Sequence, residues 1–75
     1  MTDLDRSTYD APAAGDRCHV GSEFVYVIDQ VLSGKVYYTM MRREKDGKMK
    51  QYDTGKSDLK FFLEFVKSKG TKIER

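Results

Sequence analysis

Residues 23–28 constrain the fold of this chain more than any other segment, because they read Glu-Phe-Val-Tyr-Val-Ile. Side chains that are β-branched or aromatic fit a pleated sheet surface well, so this segment predicts a strand. From Phe24 to Ile28 the apolar residues follow one another without a break, so both faces of the strand are apolar. Such a strand has to be central, strongly curved or covered on both sides. We therefore place it at the centre of the core.

Turn chemistry predicts two further strands. Gly34 supplies the positive φ that a tight turn needs, and residues 35–43 then alternate in the manner of a second strand. Asp46 and Gly47 form the strongest hairpin signal in the chain, since both tolerate the positive φ angles of a type I′ turn. Residues 48–52 are expected to return as a third strand.

A helix is predicted over residues 58–69. Ser57 has the hydroxyl of a good N-cap, and Gly70 stands at the C′ position where helices commonly end. Apolar side chains at helical spacing form one stripe, which consists of Leu59, Phe62, Leu63 and Val66. Phe61 and Phe65 lie on a flank of this stripe. Either another element covers them, or they are exposed and mark a protein-binding site or a dimer seam.

The two ends of the chain are expected to be mobile. Residues 1–18 are rich in Asp, Ser, Thr, Ala and Gly, and their large apolar residues Leu4 and Tyr9 follow no period. A segment of this kind cannot bury enough surface to offset its ordering entropy, so it is predicted to be a flexible acidic tail. Residues 71–75 are expected to fray, although Ile73 could pin them.

The charge of the chain is small in total but unevenly distributed. Its 75 residues carry a net charge of +2, of which the first 34 contribute −4 and the remainder +6. Such an asymmetry bears on long-range attraction and favours an acidic partner surface or nucleic acid. The apolar run 24–28 is far too short to span a membrane, so the sequence predicts a soluble protein without a membrane partner.

Cys18 and His19 are the single cysteine and the single histidine of the chain. No intrachain disulfide is possible, and the chain lacks a Cys and His ligand set for a structural zinc. We therefore expect a cytoplasmic protein without cofactor or metal. The two residues are sequence neighbours at the edge of the predicted tail, whereas catalysis demands fixed geometry. The sequence is interpreted as that of a protein that is not an enzyme.

The second hairpin interleaves cations with aromatic rings. This mixture can hold phosphates and stack on bases or on partner side chains. The alternative is that the cations keep a short hairpin soluble and guard its edge. With the helix flank, the candidate partner-binding residues are Lys35, Tyr37, Arg42, Arg43, Lys45, Lys48, Lys50, Tyr52, Phe61 and Phe65.

These elements predict an α+β domain over residues 19–75: a small antiparallel sheet of three to four strands, or a small open barrel, packed by one C-terminal helix. Over residues 20–69, the order of strand, glycine turn, strand, Asp-Gly hairpin, strand and Ser-capped helix resembles the small open barrels of the Src-homology, KOW and Tudor kind. The small size, the acidic tail and the lack of catalytic groups are also similar to phage-encoded regulators that disable a host machine.

The second resemblance implies a small non-catalytic regulator. It would bind and inhibit or modulate a larger host protein, such as RNA polymerase or a nuclease complex, as a monomer or a weak homodimer. The alternative is a nucleic-acid-binding module that uses the cations of the same hairpin with Tyr37 and Tyr52. An enzyme is the third possibility, with Cys18 and His19 as its only candidate groups.

Overall fold

The computed structural model describes residues 3–75, which form one antiparallel sheet with a helix against one face. The elements are β1 (Asp3–Leu4), a 3₁₀ turn (Arg6–Thr8), β2 (Arg17–Val20), β3 (Phe24–Leu32), β4 (Lys35–Arg43), β5 (Met49–Asp58), α1 (Leu59–Lys69) and β6 (Gly70–Glu74). The strand order is β1-β6-β2-β3-β4-β5. The predicted fold class is therefore wrong: the sheet has six strands rather than three to four, and it stays open between its edges β1 and β5.

The predicted flexible tail is also wrong for the part of it that the structure describes. β1 pairs with β6, and β2 lies between β6 and β3. Tyr9 and Cys18 are buried in the same core cluster as Ile73. Arg6 donates a hydrogen bond to the carbonyl oxygen of Gly70. The N-terminal segment finds its partners at the other end of the chain, and local composition carries no sign of such partners.

A fully buried carboxylate fastens this segment to the sheet. Asp16 has no exposed surface, and its carboxylate accepts hydrogen bonds from the Tyr9 hydroxyl at 2.7 Å and from the Ala13 N–H at 3.0 Å. The guanidinium of Arg75 donates to the same carboxylate at 2.9 and 3.0 Å. The Asp16 carbonyl in turn accepts from Ile28 N–H at 2.9 Å, which links the cluster to β3.

Residues 71–75 are not frayed, because most of them belong to a strand inside the sheet. β6 lies between β1 and β2, and Ile73 is completely buried. The helix ends at the predicted residue, but Gly70 has an ordinary extended φ of −69° and not the left-handed conformation of a C′ glycine. A Cβ on Gly70 would lie 2.5 Å from the carbonyl oxygen of Val66. Position 70 therefore requires glycine because a side chain would clash with Val66, and not because of its backbone φ.

The two hairpin turns differ from each other. Ser33 and Gly34 have φ values of 52° and 74°, so they form the predicted tight turn between β3 and β4. At the second hairpin only Gly47 has a positive φ, and its N–H donates to the Glu44 carbonyl at 3.0 Å. This is a type I turn followed by a left-handed glycine, so the hairpin is confirmed and its type I′ geometry is wrong.

β5 continues well beyond the predicted third strand, and this changes the start of the helix. Ser57 pairs with Val36 inside the ladder between β4 and β5, so its predicted N-cap role is wrong. Asp58 is the N-cap and makes no side-chain capping bond. Its carboxylate instead accepts a hydrogen bond at 2.8 Å from the Nζ of Lys35, which is its pairing partner on the adjacent strand β4.

The apolar stripe of the helix packs on the sheet as predicted. Phe62 and Val66 are buried, and Leu59 and Leu63 are partly buried against the same cluster. This cluster includes Ile28 of β3 and Val36 of β4, and Tyr26 and Tyr38 pack against it. No helix within this range combines the length and apolarity that crossing a membrane requires.

Candidate binding surface

A groove of about 320 Å³ lies between α1 and the sheet. Five aromatic rings and a hydroxyl line it: Tyr26, Tyr38, Ser57, Phe61, Phe62 and Phe65. The rings pack on one another, with centroids 5.1 Å apart for Tyr26 and Tyr38 and 5.4 Å apart for Tyr26 and Phe65. Burial raises the pKa of Tyr26, so its hydroxyl stays protonated at neutral pH. The described lining contains no charged side chain.

β5 leaves room for the tyrosine at the floor of this groove. Tyr38 on β4 pairs with Gly55 on β5, and a Cβ on Gly55 would lie 2.9 Å from the Tyr38 hydroxyl oxygen. The ring of Tyr38 therefore lies over the backbone of the edge strand. On its inner side the same ring stacks on Phe62, with centroids 5.9 Å apart. A larger residue at position 55 would displace Tyr38 and close part of the groove.

The two phenylalanines on the helix flank have different environments. Phe65 packs against Tyr26 and the core cluster, so another element does cover it. Phe61 is 66 % exposed at the mouth of the groove, although it is one of the largest apolar side chains of the chain. The sequence left open whether these side chains are covered or exposed; Phe65 is covered, and Phe61 is exposed.

A second aromatic cluster with cations lies on the same face of the sheet. Phe24 and Tyr52 form an edge-to-face pair with centroids 5.8 Å apart, and Tyr52 is 60 % exposed. Phe24 pairs with Arg42 across β3 and β4, and Arg42 pairs with Lys50 across β4 and β5. Within residues 3–75, neither Arg42 nor Lys50 takes part in an ion pair.

A bulge in β5 aligns this cluster with the groove. The pairing between β4 and β5 shifts after Met40, so that Tyr52 is an extra residue without a directly opposite partner. Side chains alternate between faces along a strand, and Tyr38 and Arg42 are four residues apart on β4. They therefore share a face and lie about 13 Å apart along the strand. We call the groove together with Phe24, Tyr52, Arg42 and Lys50 the helix-side surface.

The structure divides the predicted binding residues into three groups. Arg42, Lys50, Tyr52, Phe61 and Phe65 belong to the helix-side surface. Lys35, Tyr37 and Arg43 alternate with Arg42 along β4 and so lie on the opposite face, where Lys35 is engaged with Asp58. Lys45 and Lys48 stand at the tip of the second hairpin, beyond the paired strands. The ten residues do not form one continuous patch.

Cys18 and His19 also lie on opposite faces, because they are neighbours on β2. Cys18 is fully buried in the core, and burial raises the pKa of its thiol to about 11. His19 faces the other way and contacts Glu74. The two side chains therefore cannot act as a nucleophile and base pair. No group of three or more His, Cys, Asp or Glu residues that could hold a metal ion is found in the described chain.

Tyr26, Tyr38 and Phe24 are part of the surface, but the sequence pattern predicts only that they belong to strands. Their shared face follows from alternation, yet the pairing register that joins them is not visible in the sequence. No protein-family model, no curated protein and no solved structure matches this chain. The surface is therefore interpreted from its chemistry. An uncharged aromatic groove accepts a large apolar group, and the nearby cations Arg42 and Lys50 attract carboxylates or phosphates.

Proposed function

We propose that this protein is a small non-catalytic binding protein that attaches to a larger protein through the helix-side surface and so inhibits or modulates it. The observation that carries this proposal is that an uncharged aromatic groove shares one face with two cations, Arg42 and Lys50, which form no ion pair within residues 3–75. Large exposed apolar side chains such as Phe61 are typical of binding hot spots. The partner supplies an apolar side chain for the groove and acidic side chains for Arg42 and Lys50.

The proposed partner is a larger host protein, such as RNA polymerase or a nuclease complex. Two features support a partner with acidic surface: the positive charge of the C-terminal half and the exposure of Arg42 and Lys50. The proposed location is the cytoplasm, in keeping with a buried cysteine that forms no disulfide. In this proposal the protein acts as a monomer with one binding face.

Charge reversal at two neighbouring residues tests the proposal. Arg42→Glu places a negative charge on the helix-side surface, and Arg43→Glu makes the same change on the opposite face. Partners captured from a host lysate by the unaltered protein are expected to bind the Arg42 variant about tenfold more weakly or worse. The Arg43 variant is expected to keep an affinity within about twofold, since its side chain points to the opposite face of the sheet. Equal losses for the two variants would show that the face assignment is wrong.

A nucleic-acid-binding module remains the second candidate, and one observation favours it. The exposed ring of Tyr52 lies beside Lys50 and Arg42, a combination that can stack on a base and hold a phosphate. This function requires affinity for a single-stranded oligonucleotide that falls as salt is added. Salt-sensitive oligonucleotide binding that Arg42→Glu abolishes, with no protein captured from the lysate, would replace the first proposal by this one.

A further inference from the structure

β5 is an edge strand, and its hydrogen bonds to β4 show which of its backbone groups point away from the sheet. The N–H of Leu59 donates to the carbonyl oxygen of Gly34 at 2.9 Å. In an antiparallel ladder, residues that bond to the neighbouring strand alternate with residues that do not. Counting back from Leu59, the residues whose N–H and C=O groups point away from β4 are Asp58, Lys56 and Thr54.

Short local hydrogen bonds occupy part of this edge. The Asp53 carboxylate accepts from the N–H of Thr54 at 2.8 Å, and the Ser57 hydroxyl donates to the carbonyl of Asp58 at 3.2 Å. Between them, Lys56 has both backbone groups directed outward, with no side-chain partner among the described hydrogen bonds. The edge holds no proline, so it can pair with another strand around Lys56.

The open part of the edge borders both parts of the helix-side surface. Because the ring of Tyr38 lies over Gly55, a residue opposite Gly55 on an adjacent strand would contact Tyr38 at the floor of the groove. Lys50 lies five residues before Gly55 on β5. Because Tyr52 is an extra residue at the bulge, this separation corresponds to only four pairing positions. An extended segment advances about 3.3 Å per residue, so four of its residues span about 13 Å, which is the separation of Tyr38 and Arg42 along β4. Residues four apart on such a segment point to the same side.

We propose that an extended acidic segment of the partner adds to β5 as a seventh strand. A large apolar side chain of this segment enters the groove, and an acidic side chain four positions away reaches Lys50 and Arg42. In this mode main-chain hydrogen bonds supply affinity and alternate side chains supply specificity. The inference rests on the proposed function and names the form of the partner's contact.

A second copy of this chain does not fit the same site. The aromatic residue of its own β5 is Tyr52, which lies on the helix side at the bulge. Lys56, four positions after it, pairs with Tyr37 and so points to the opposite face, whereas the residue four positions before it is Lys48. A copy with its tyrosine in the groove therefore presents no acidic side chain four positions away to Lys50 and Arg42, whereas an acidic segment is complementary to them.

Proline at position 56 tests the strand addition. Lys56→Pro removes the outward N–H without removing a bond to β4, and its matched control Lys56→Ala removes the side chain beyond Cβ with its charge but keeps the N–H. The probe is a fluorescein-labelled nonapeptide of Thr and Val with one Phe and, four positions later, one Glu. By fluorescence anisotropy we expect the alanine variant to bind within about threefold of the unaltered protein and the proline variant about tenfold more weakly. The same peptide with Lys in place of Glu is expected to lose binding as well.

Thermal melting shows whether the proline variant is folded. If it is not, the probe peptide N-methylated at the residue opposite Lys56 removes the companion hydrogen bond, which this peptide N–H donates to the Lys56 carbonyl, and it is expected to bind about tenfold more weakly. Equal binding by the folded proline and alanine variants, or failure of the peptide to bind the unaltered protein, overturns strand addition. Neither result touches the proposed function, which stands or falls with the lysate capture by the Arg42 and Arg43 variants.

Discussion

Replacing Asp16 with alanine is expected to destabilise the protein by about 3 kcal/mol. The change leaves the Tyr9 hydroxyl and the Ala13 N–H without their acceptor and Arg75 without its partner. Because the Arg75 side chain is about half exposed, water can solvate it, and this keeps the loss at the lower end of the range for buried pairs. The exposed Asp10→Ala is the control. Urea unfolding measures both, and a loss below about 1 kcal/mol for Asp16→Ala would contradict the role of this cluster.

The same carboxylate makes the stability of the protein depend on pH. Burial by itself would raise the pKa of Asp16, but hydrogen bonds from Arg75, Tyr9 and Ala13 together outweigh burial, so the pKa is lowered. Ionised Asp16 therefore stabilises the folded state, and this stabilisation is complete at pH values above the pKa of an unfolded Asp, about 3.9. It is lost as the pH falls through the lower pKa that Asp16 has in the folded protein. The difference in unfolding free energy between the unaltered protein and Asp16→Ala should therefore be constant near neutral pH and shrink below about pH 4.

Phe62→Ala is expected to cost about 3–5 kcal/mol, because it empties a buried site that helix and sheet share. Phe62 is 2 % exposed and stacks on Tyr38, so its loss removes core packing and the support of the groove floor together. Its neighbour provides the matched control. Phe61→Ala should change stability by no more than about 0.5 kcal/mol, since the side chain is mostly exposed, while it weakens binding at the groove. Similar stability losses for the two variants would contradict the assignment of one residue to the core and the other to the surface.

The predictable part of the fold is the part encoded in local periodicity. β3, β4 and the stripe of α1 follow from alternation and helical spacing within a few residues, and the structure has them where they were predicted. The N-terminal segment was not predictable in this way. Leu4 and Tyr9 are isolated in the sequence. They pack in the core only because β6 pairs with β1 and because Arg75 binds Asp16. Such long-range pairs leave no pattern in a local window.

The candidate surface was partly predictable. The cations and rings of the second hairpin were identified as a group, but alternation along β4 separates Arg43 and Tyr37 from Arg42. The bulge at Tyr52 is the feature that local reasoning could not supply. Without it, Lys50 and Gly55 would lie on opposite faces, since they are an odd number of residues apart. The extra residue places the cations and the groove on one face.

Oxidative footprinting of side chains tests most directly whether one face of the sheet does the binding. Hydroxyl radicals label solvent-accessible aromatic and methionine side chains, and both faces carry reporters: the exposed Phe61 and Tyr52 on the helix side, and the exposed Met49 and partly buried Tyr37 on the other. The protein is labelled alone and in complex with its captured partner. We expect labelling of Phe61 and Tyr52 to fall strongly in the complex and that of Tyr37 and Met49 to stay unchanged. Protection of Tyr37 and Met49 with continued labelling of Phe61 and Tyr52 would contradict the account.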